Sequence, residues 1–143
     1  MTTTGTDRIT ALRPYVFFYG RCEEALEFYK RVFGGSYELQ RNSEAPSDEH
    51  VASDFRNKVM HASFTAPGIS FFASDGREAK TVDPEEGNVS LAIDVEGADA
   101  GQQLFDALCE GGTAAVPFGD AFWGGKFGMV NDRFGTQWMI TAH

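Results

Sequence analysis

Residues 25–35, ALEFYKRVFGG, decide the fold of this chain. Ala25, Phe28, Tyr29, Val32 and Phe33 recur at i, i+3, i+4, i+7 and i+8, the spacing of one apolar face of an α-helix. Glu23 and Glu24 suit the positive end of its dipole, and Lys30 and Arg31 the negative end. Gly34-Gly35 stops it, because glycine accepts the left-handed conformation that follows a helix. The pattern then returns. At an offset of 76, Phe28, Tyr29, Val32 and Gly35 fall on Leu104, Phe105, Leu108 and Gly111. This second helix, from about Ala98 to Glu110, also ends at paired glycines. At an offset of 68, Lys58 falls on Lys126, and one residue of slippage then sets Gly68 on Gly135.

Strands lie outward from each helix. In the first half they are expected at 14–19, Ser36–Arg41, Val59–Thr65 and, after the Pro67-Gly68 turn, Ile69–Ala73. In the second half they are expected at Val89–Val95, with alternating apolar residues, and then near Thr113–Pro117, Phe127–Val130 and Thr136–Thr141. Asp132-Arg133-Phe134-Gly135 reads as a turn in which the aspartate bonds nearby backbone N–H groups. Residues 1–12 read as a tail, 42–57 as a polar excursion with a short helix, and 74–88 as a linker. Each half is therefore β-α-β-β-β, giving one α+β domain at 13–142 built of modules at about 13–75 and 88–142. Such a module covers one face of its sheet with a helix and leaves the other bare. Two modules side by side are expected to form a larger, cupped mixed sheet whose concave surface receives a ligand.

The bulk composition narrows the partners. The 143 residues suit one domain, and the net charge of −9, with twelve scattered basic residues, argues against nucleic acid and against anionic membrane surfaces. No apolar run reaches the roughly 18–20 residues that span a bilayer. The start, MTTTGTDR, lacks the basic and apolar segments of a signal peptide. Cys22 and Cys109 lie in helical patterns without CxxC spacing, so a reduced pair and a cytoplasmic protein are expected.

Four segments carry a resemblance: PYVFF at 14–18 with CEEAL at 22–26 and Phe28-Tyr29; VMHA at 59–62; FWGGKFG at 122–128; and DRFG at 132–135 with WMI at 138–140. On these the chain resembles the vicinal oxygen chelate superfamily (glyoxalase, bleomycin-resistance and dioxygenase proteins), and within it the PhnB-like branch. The resemblance implies the glyoxalase/bleomycin-resistance fold and a homodimer. The branch carries a demethylubiquinone methyltransferase label, but no Gly-rich strand–turn–helix loop suited to S-adenosylmethionine is present in the sequence. Metal-dependent members hold a divalent ion with a His and a Glu from each module. Counting from the matched motifs, those positions fall here on Pro14, Phe72, Ser90 and Met139. Proline and phenylalanine have no ligating side chain, serine ligates divalent ions poorly, and methionine prefers soft metals. No metal and no cofactor are therefore expected; a rebuilt site would have to draw on His61, Asp94 or His50.

The expected function is binding of a small apolar or aromatic molecule in a metal-free cavity. Strand alternation then assigns Val16, Phe18, Ser70, Phe72, Ser90, Ala92, Asp94, Gln137 and Met139 to the cavity face. It sets Tyr15, Phe17 and Tyr19 beneath the helix. The expected ligand contacts are Phe18, Phe72, Ser90, Trp123, Gln137 and Met139, with Trp123 carried over the mouth by a Gly-rich loop. His61 and Asp94 are the candidate catalytic or orienting residues. Two other functions fit the resemblance: a lyase, isomerase or dioxygenase with a rebuilt metal site, and a drug-sequestering resistance protein.

Overall fold

A computed structural model describes residues 6–45 and 51–143. His50 lies outside the described residues. The chain divides into two compact units, Met1–Ala79 and Lys80–His143. The first contains β1 (Tyr15–Phe17), α1 (Cys22–Phe33), β2 (Ser36–Arg41), β3 (Val59–Ala66) and β4 (Ile69–Ser74). Its sheet has the order β1-β4-β3-β2, with β1 parallel to β4 and the other pairs antiparallel. The second contains β5 (Leu91–Val95), α2 (Ala98–Cys109), β6 (Thr113–Asp120), β7 (Lys126–Asn131) and β8 (Gln137–Ala142). Its order, β5-β8-β7-β6, repeats the first sheet strand for strand, again with one parallel pair.

In the first unit the apolar stripe of α1 buries Ala25, Leu26, Phe28 and Tyr29. They meet an aromatic layer in which Phe64 and Phe71 stack at 5.1 Å and Tyr29 sets its ring edge-on to Phe71 at 5.9 Å. Each such ring contributes about 1.5–3 kcal/mol on burial. The first turn of α1 has no local side-chain cap. Asp75, just beyond β4 and 1 % exposed, supplies the cap from afar. Its Oδ1 accepts from the N–H groups of Gly20 at 2.8 Å and Cys22 at 2.7 Å, and its Oδ2 from Val59 N–H at 2.7 Å. At the other end Gly34, with φ of 75°, donates its N–H to Lys30. Gly35 follows with φ of 81°, and a Cβ there would lie 2.1 Å from the Thr65 carbonyl oxygen, so the helix turns directly onto the end of β3.

In the second unit α2 packs on β7 and β8 through Phe105 and Leu108. The turn between those strands is built as its sequence requires. Asp132 Oδ1 accepts from the N–H groups of Phe134 at 2.9 Å and Thr136 at 3.0 Å, while Oδ2 accepts from Trp138 Nε1 at 2.8 Å.

Several boundaries differ from expectation. β1 stops at Phe17, because Tyr19 takes a left-handed φ of 49° and Gly20 one of 105°. β5 begins at Leu91; Val89 is exposed. β6 continues past Pro117 to Asp120, and two register shifts against β7 let the strand bend where proline and glycine interrupt it. The polar excursion holds two 3₁₀ turns, Asn42–Glu44 and Ser53–Phe55, and Thr6–Arg8 forms another within the expected tail.

Candidate functional site

Each unit presents one sheet face to its helix and one away from it. On the first sheet the register sets the open face in rows. Tyr15 pairs with Phe72, Phe72 with Ser63, and Ser63 with Glu38. His61 pairs with Gln40 in the neighbouring row. On the other side of the Phe72 row, Ser70 pairs with Thr65, and Arg13 donates from Nε to Ser70 Oγ at 3.0 Å.

Aromatic rings gather at the centre. Phe72 lies 5.2 Å from the His61 ring and 6.2 Å from the Tyr15 ring. Tyr15 Oη and His61 Nδ1 are in hydrogen-bond contact at 3.2 Å. Phe17 continues the cluster 5.1 Å from Tyr15, and the Arg13 guanidinium sits 5.5 Å from the Phe72 centroid. Tyr15 is 43 % exposed and Phe17 47 %, so the rings form a surface rather than a filled core. Beside them Glu38, Leu39, Gln40, His61 and Ser63 line a cavity of about 330 Å³.

This corrects the expected phase of β1. Phe18 is buried and packs 6.0 Å from Tyr29, on the helix side, so it is not on the open face. Tyr15 and Phe17, expected beneath the helix, are on the open face instead. The reason is the connection to the helix. Tyr15 precedes the first residue of α1 by seven positions, whereas Ala92, on the open side of β5, precedes α2 by six. Counting back from the helix with a single offset therefore reverses every side chain of β1. Phe72 and Ser70 stand on the open face as expected, together with His61.

On the open face of the second sheet, Ser90 donates from Oγ to Gln137 Oε1 at 2.5 Å, and Gln137 Nε2 donates to Asn131 Oδ1 at 2.9 Å. Met139 pairs with Met129 and Ala92, and Asp94 is exposed on the edge strand β5. Trp123, at 57 % exposure, sits in the β6–β7 turn with its ring edge-on to Phe127 at 5.4 Å, and the neighbouring Phe122 is 97 % exposed.

The positions where the resemblance calls for metal ligands carry no suitable donors. Phe72 offers a ring, Met139 a thioether, and Ser90 spends its hydroxyl on Gln137. Among the described residues no group of three or more His, Cys, Asp and Glu side chains could hold a metal ion. His61 lies in the first unit and Asp94 in the second. Cys22, at the start of α1, is fully buried; burial and the nearby Asp75 charge push its thiol far up, which leaves it inert as a nucleophile.

A family model described as 3-demethylubiquinone-9 3-methyltransferase matches residues 10–141. Protein YjdN of Escherichia coli (strain K12) is 28 % identical over 140 residues, covering 92 % of this chain and 94 % of its own. The crystal structure of protein PA1353 from Pseudomonas aeruginosa is 31 % identical and superposes with a TM-score of 0.78 over 93 % of this chain and 98 % of that one. A PhnB protein from Bacillus cereus, described with the same methyltransferase words, is 25 % identical with a TM-score of 0.74, over 94 % of this chain and 100 % of that one. A glyoxylase/bleomycin resistance protein/dioxygenase domain from Frankia sp. EAN1pec, 12 % identical with a TM-score of 0.62 over 94 % of this chain and 92 % of that one, shares the fold.

Proposed function

The chain belongs to the family described as 3-demethylubiquinone-9 3-methyltransferase, within the glyoxalase-fold superfamily, and on that premise we propose that it binds a small planar aromatic molecule without a metal ion. The observation that carries this reading is the open face of the first sheet. Tyr15 and Phe17 are exposed there, and the half-buried His61 and Phe72 join them in one aromatic cluster, a contiguous patch of the kind that marks a binding surface. Flat rings at 5–6 Å spacing stack or meet edge-on with a guest ring, each contact adding about 0.5–1.5 kcal/mol beyond area burial. The Tyr15–His61 pair supplies a polar contact beside the rings that fixes the guest's orientation.

The family description names a methyl transfer. The two strand–helix connections speak for binding instead. Phe18-Tyr19-Gly20-Arg21 holds a single glycine, and Asp75, which accepts from its Gly20 N–H, is consumed in capping α1; Glu96-Gly97 spans only two residues. Neither resembles the Gly-rich loop that cradles a nucleotide-like methyl donor. The same reading includes a homodimer, for which light scattering should return twice the 15.7 kDa chain mass.

Calorimetric titration with 2-naphthol and 1,4-naphthoquinone tests the site. Saturable binding is expected, weakened at least tenfold, by about 1.4 kcal/mol or more, in both Phe72→Arg and Tyr15→Ala. Circular dichroism and urea unfolding establish that both variants fold. Absence of binding to the native chain, or unchanged affinity in folded Phe72→Arg, defeats the reading.

A further inference from the structure

We propose that the guest of the first sheet's open face is a planar aromatic acid bearing a hydrogen-bond donor at its opposite end. This rests on the reading of that face as a binding surface and names the class of molecule it takes.

The face is polarised across its strands. At the β1 edge stands Arg13, held just ahead of the strand where the Pro14 carbonyl accepts from Phe72 N–H at 2.9 Å. Its bond to Ser70 uses Nε and leaves both terminal amino groups. Among the described residues no carboxylate pairs with it. A guanidinium stacked on a ring, with both terminal amino groups outside its bond to Ser70, is a ready partner for a carboxylate, which it grips through two parallel bonds.

At the β2 edge the sign reverses. Glu38 ends the row Tyr15–Phe72–Ser63–Glu38 and lines the cavity with Gln40 and His61. Three strand spacings place it roughly 14 Å from Tyr15. A flat bicyclic ligand fits between the two edges, over Phe72. Its acid group is drawn to Arg13 and repelled by Glu38, and a hydroxyl at the far end donates to Glu38. Attraction at one end and repulsion at the other fix a single orientation. In a chain of net charge −9, a cation set on an aromatic surface marks where an anion settles.

Titration calorimetry with three probes, near neutral pH and at low salt, decides the matter: 6-hydroxy-2-naphthoate, 2-naphthoate and 2-naphthol. The hydroxynaphthoate is expected to bind tightest, about tenfold tighter than 2-naphthol. Arg13→Gln should remove that preference, bringing the hydroxynaphthoate to within about twofold of 2-naphthol measured on the same variant. Glu38→Ala, which removes the acceptor, should erase the advantage of the hydroxynaphthoate over 2-naphthoate. High salt should narrow the gap between charged and neutral probes. Equal affinity of the native protein for naphthoate and 2-naphthol, or a preference that survives Arg13→Gln, overturns the proposal while the aromatic site stands. If none of the probes binds, the aromatic site itself falls and the proposal with it.

Discussion

Asp75 carries more of the first unit than any apolar side chain could. It is a buried carboxylate whose two oxygens accept from the start of α1 and from β3. An amide at this position presents only one acceptor oxygen and turns an N–H₂ group toward a backbone N–H. Asp75→Asn should therefore lower stability by about 1.5–3 kcal/mol, and Asp75→Ala, which orphans all three donors, by about 3–5 kcal/mol. Urea unfolding measures both; a loss under about 0.5 kcal/mol for Asp75→Ala would contradict the capping role. Tyr37 makes a pH prediction. Its hydroxyl donates to Glu27 Oε2 at 2.7 Å, and that bond, with burial and the Glu27 charge, pushes its ionisation from 10.0 up to about 12. The folded value lies above the ordinary one. The bond thus stabilises the fold fully below about pH 10, and its contribution is lost as pH rises through about 12. Ultraviolet titration of phenolate should show a late component from Tyr37 that moves to earlier pH in Glu27→Gln.

At the scale of elements, close approach of backbone to backbone outweighs intrinsic preference. Gly101 sits inside α2, where alanine is ordinarily better by about 0.8–1.0 kcal/mol. A Cβ there would stand 2.7 Å from Ala142 Cβ and 2.9 Å from Phe118 Cζ. The phenyl ring can yield, but Ala142 Cβ is fixed to β8. Overpacking costs about 1–3 kcal/mol, so Gly101→Ala should destabilise despite its better helix propensity. A raised urea midpoint would show that α2 can shift outward. The same scale explains the misplaced phase of β1. A three-residue strand carries too few alternations to fix its own phase, and the left-handed Tyr19-Gly20 step breaks the count from the helix. β5 and β8 are longer, and their pairing keeps Ala92 opposite Met139, which is the face expected from the sequence.

For the molecule as a whole, duplication is the organising fact. Each unit has the same five elements in the same order and the same strand order in its sheet, yet the two open faces differ in chemistry. The first is aromatic with a cation and a carboxylate at its edges; the second is a methionine pair beside a chain of amides and a serine. No helix is long and apolar enough to cross a membrane among the described residues. The donor set predicts independence from divalent ions. Elemental analysis of untagged protein should find far less than one zinc, nickel or iron per chain, and a chelator should leave both the melting midpoint and aromatic-probe affinity unchanged. A stoichiometric, tightly held ion would contradict this.

The sequence by itself determined both helices, the repeat and most strand positions, because each rests on local spacing: a 3.6-residue stripe, paired glycines, or period-two alternation over five or more residues. It also placed Phe72 and His61 in strands, and the family resemblance implied that the ligand positions of metal-dependent relatives fall on Pro14, Phe72, Ser90 and Met139. What only the tertiary structure decided depends on contacts far apart in the chain. Asp75 reaches Gly20 and Cys22 across more than fifty residues, and no local signal announces it. Arg13 meets Phe72 and Ser70, and Tyr15 meets His61, only because β1 lies parallel to β4 with Tyr15 opposite Phe72. Register across a sheet is set by the packing of every strand at once, so the face to which β1 turns its rings could be read only after the sheet had formed.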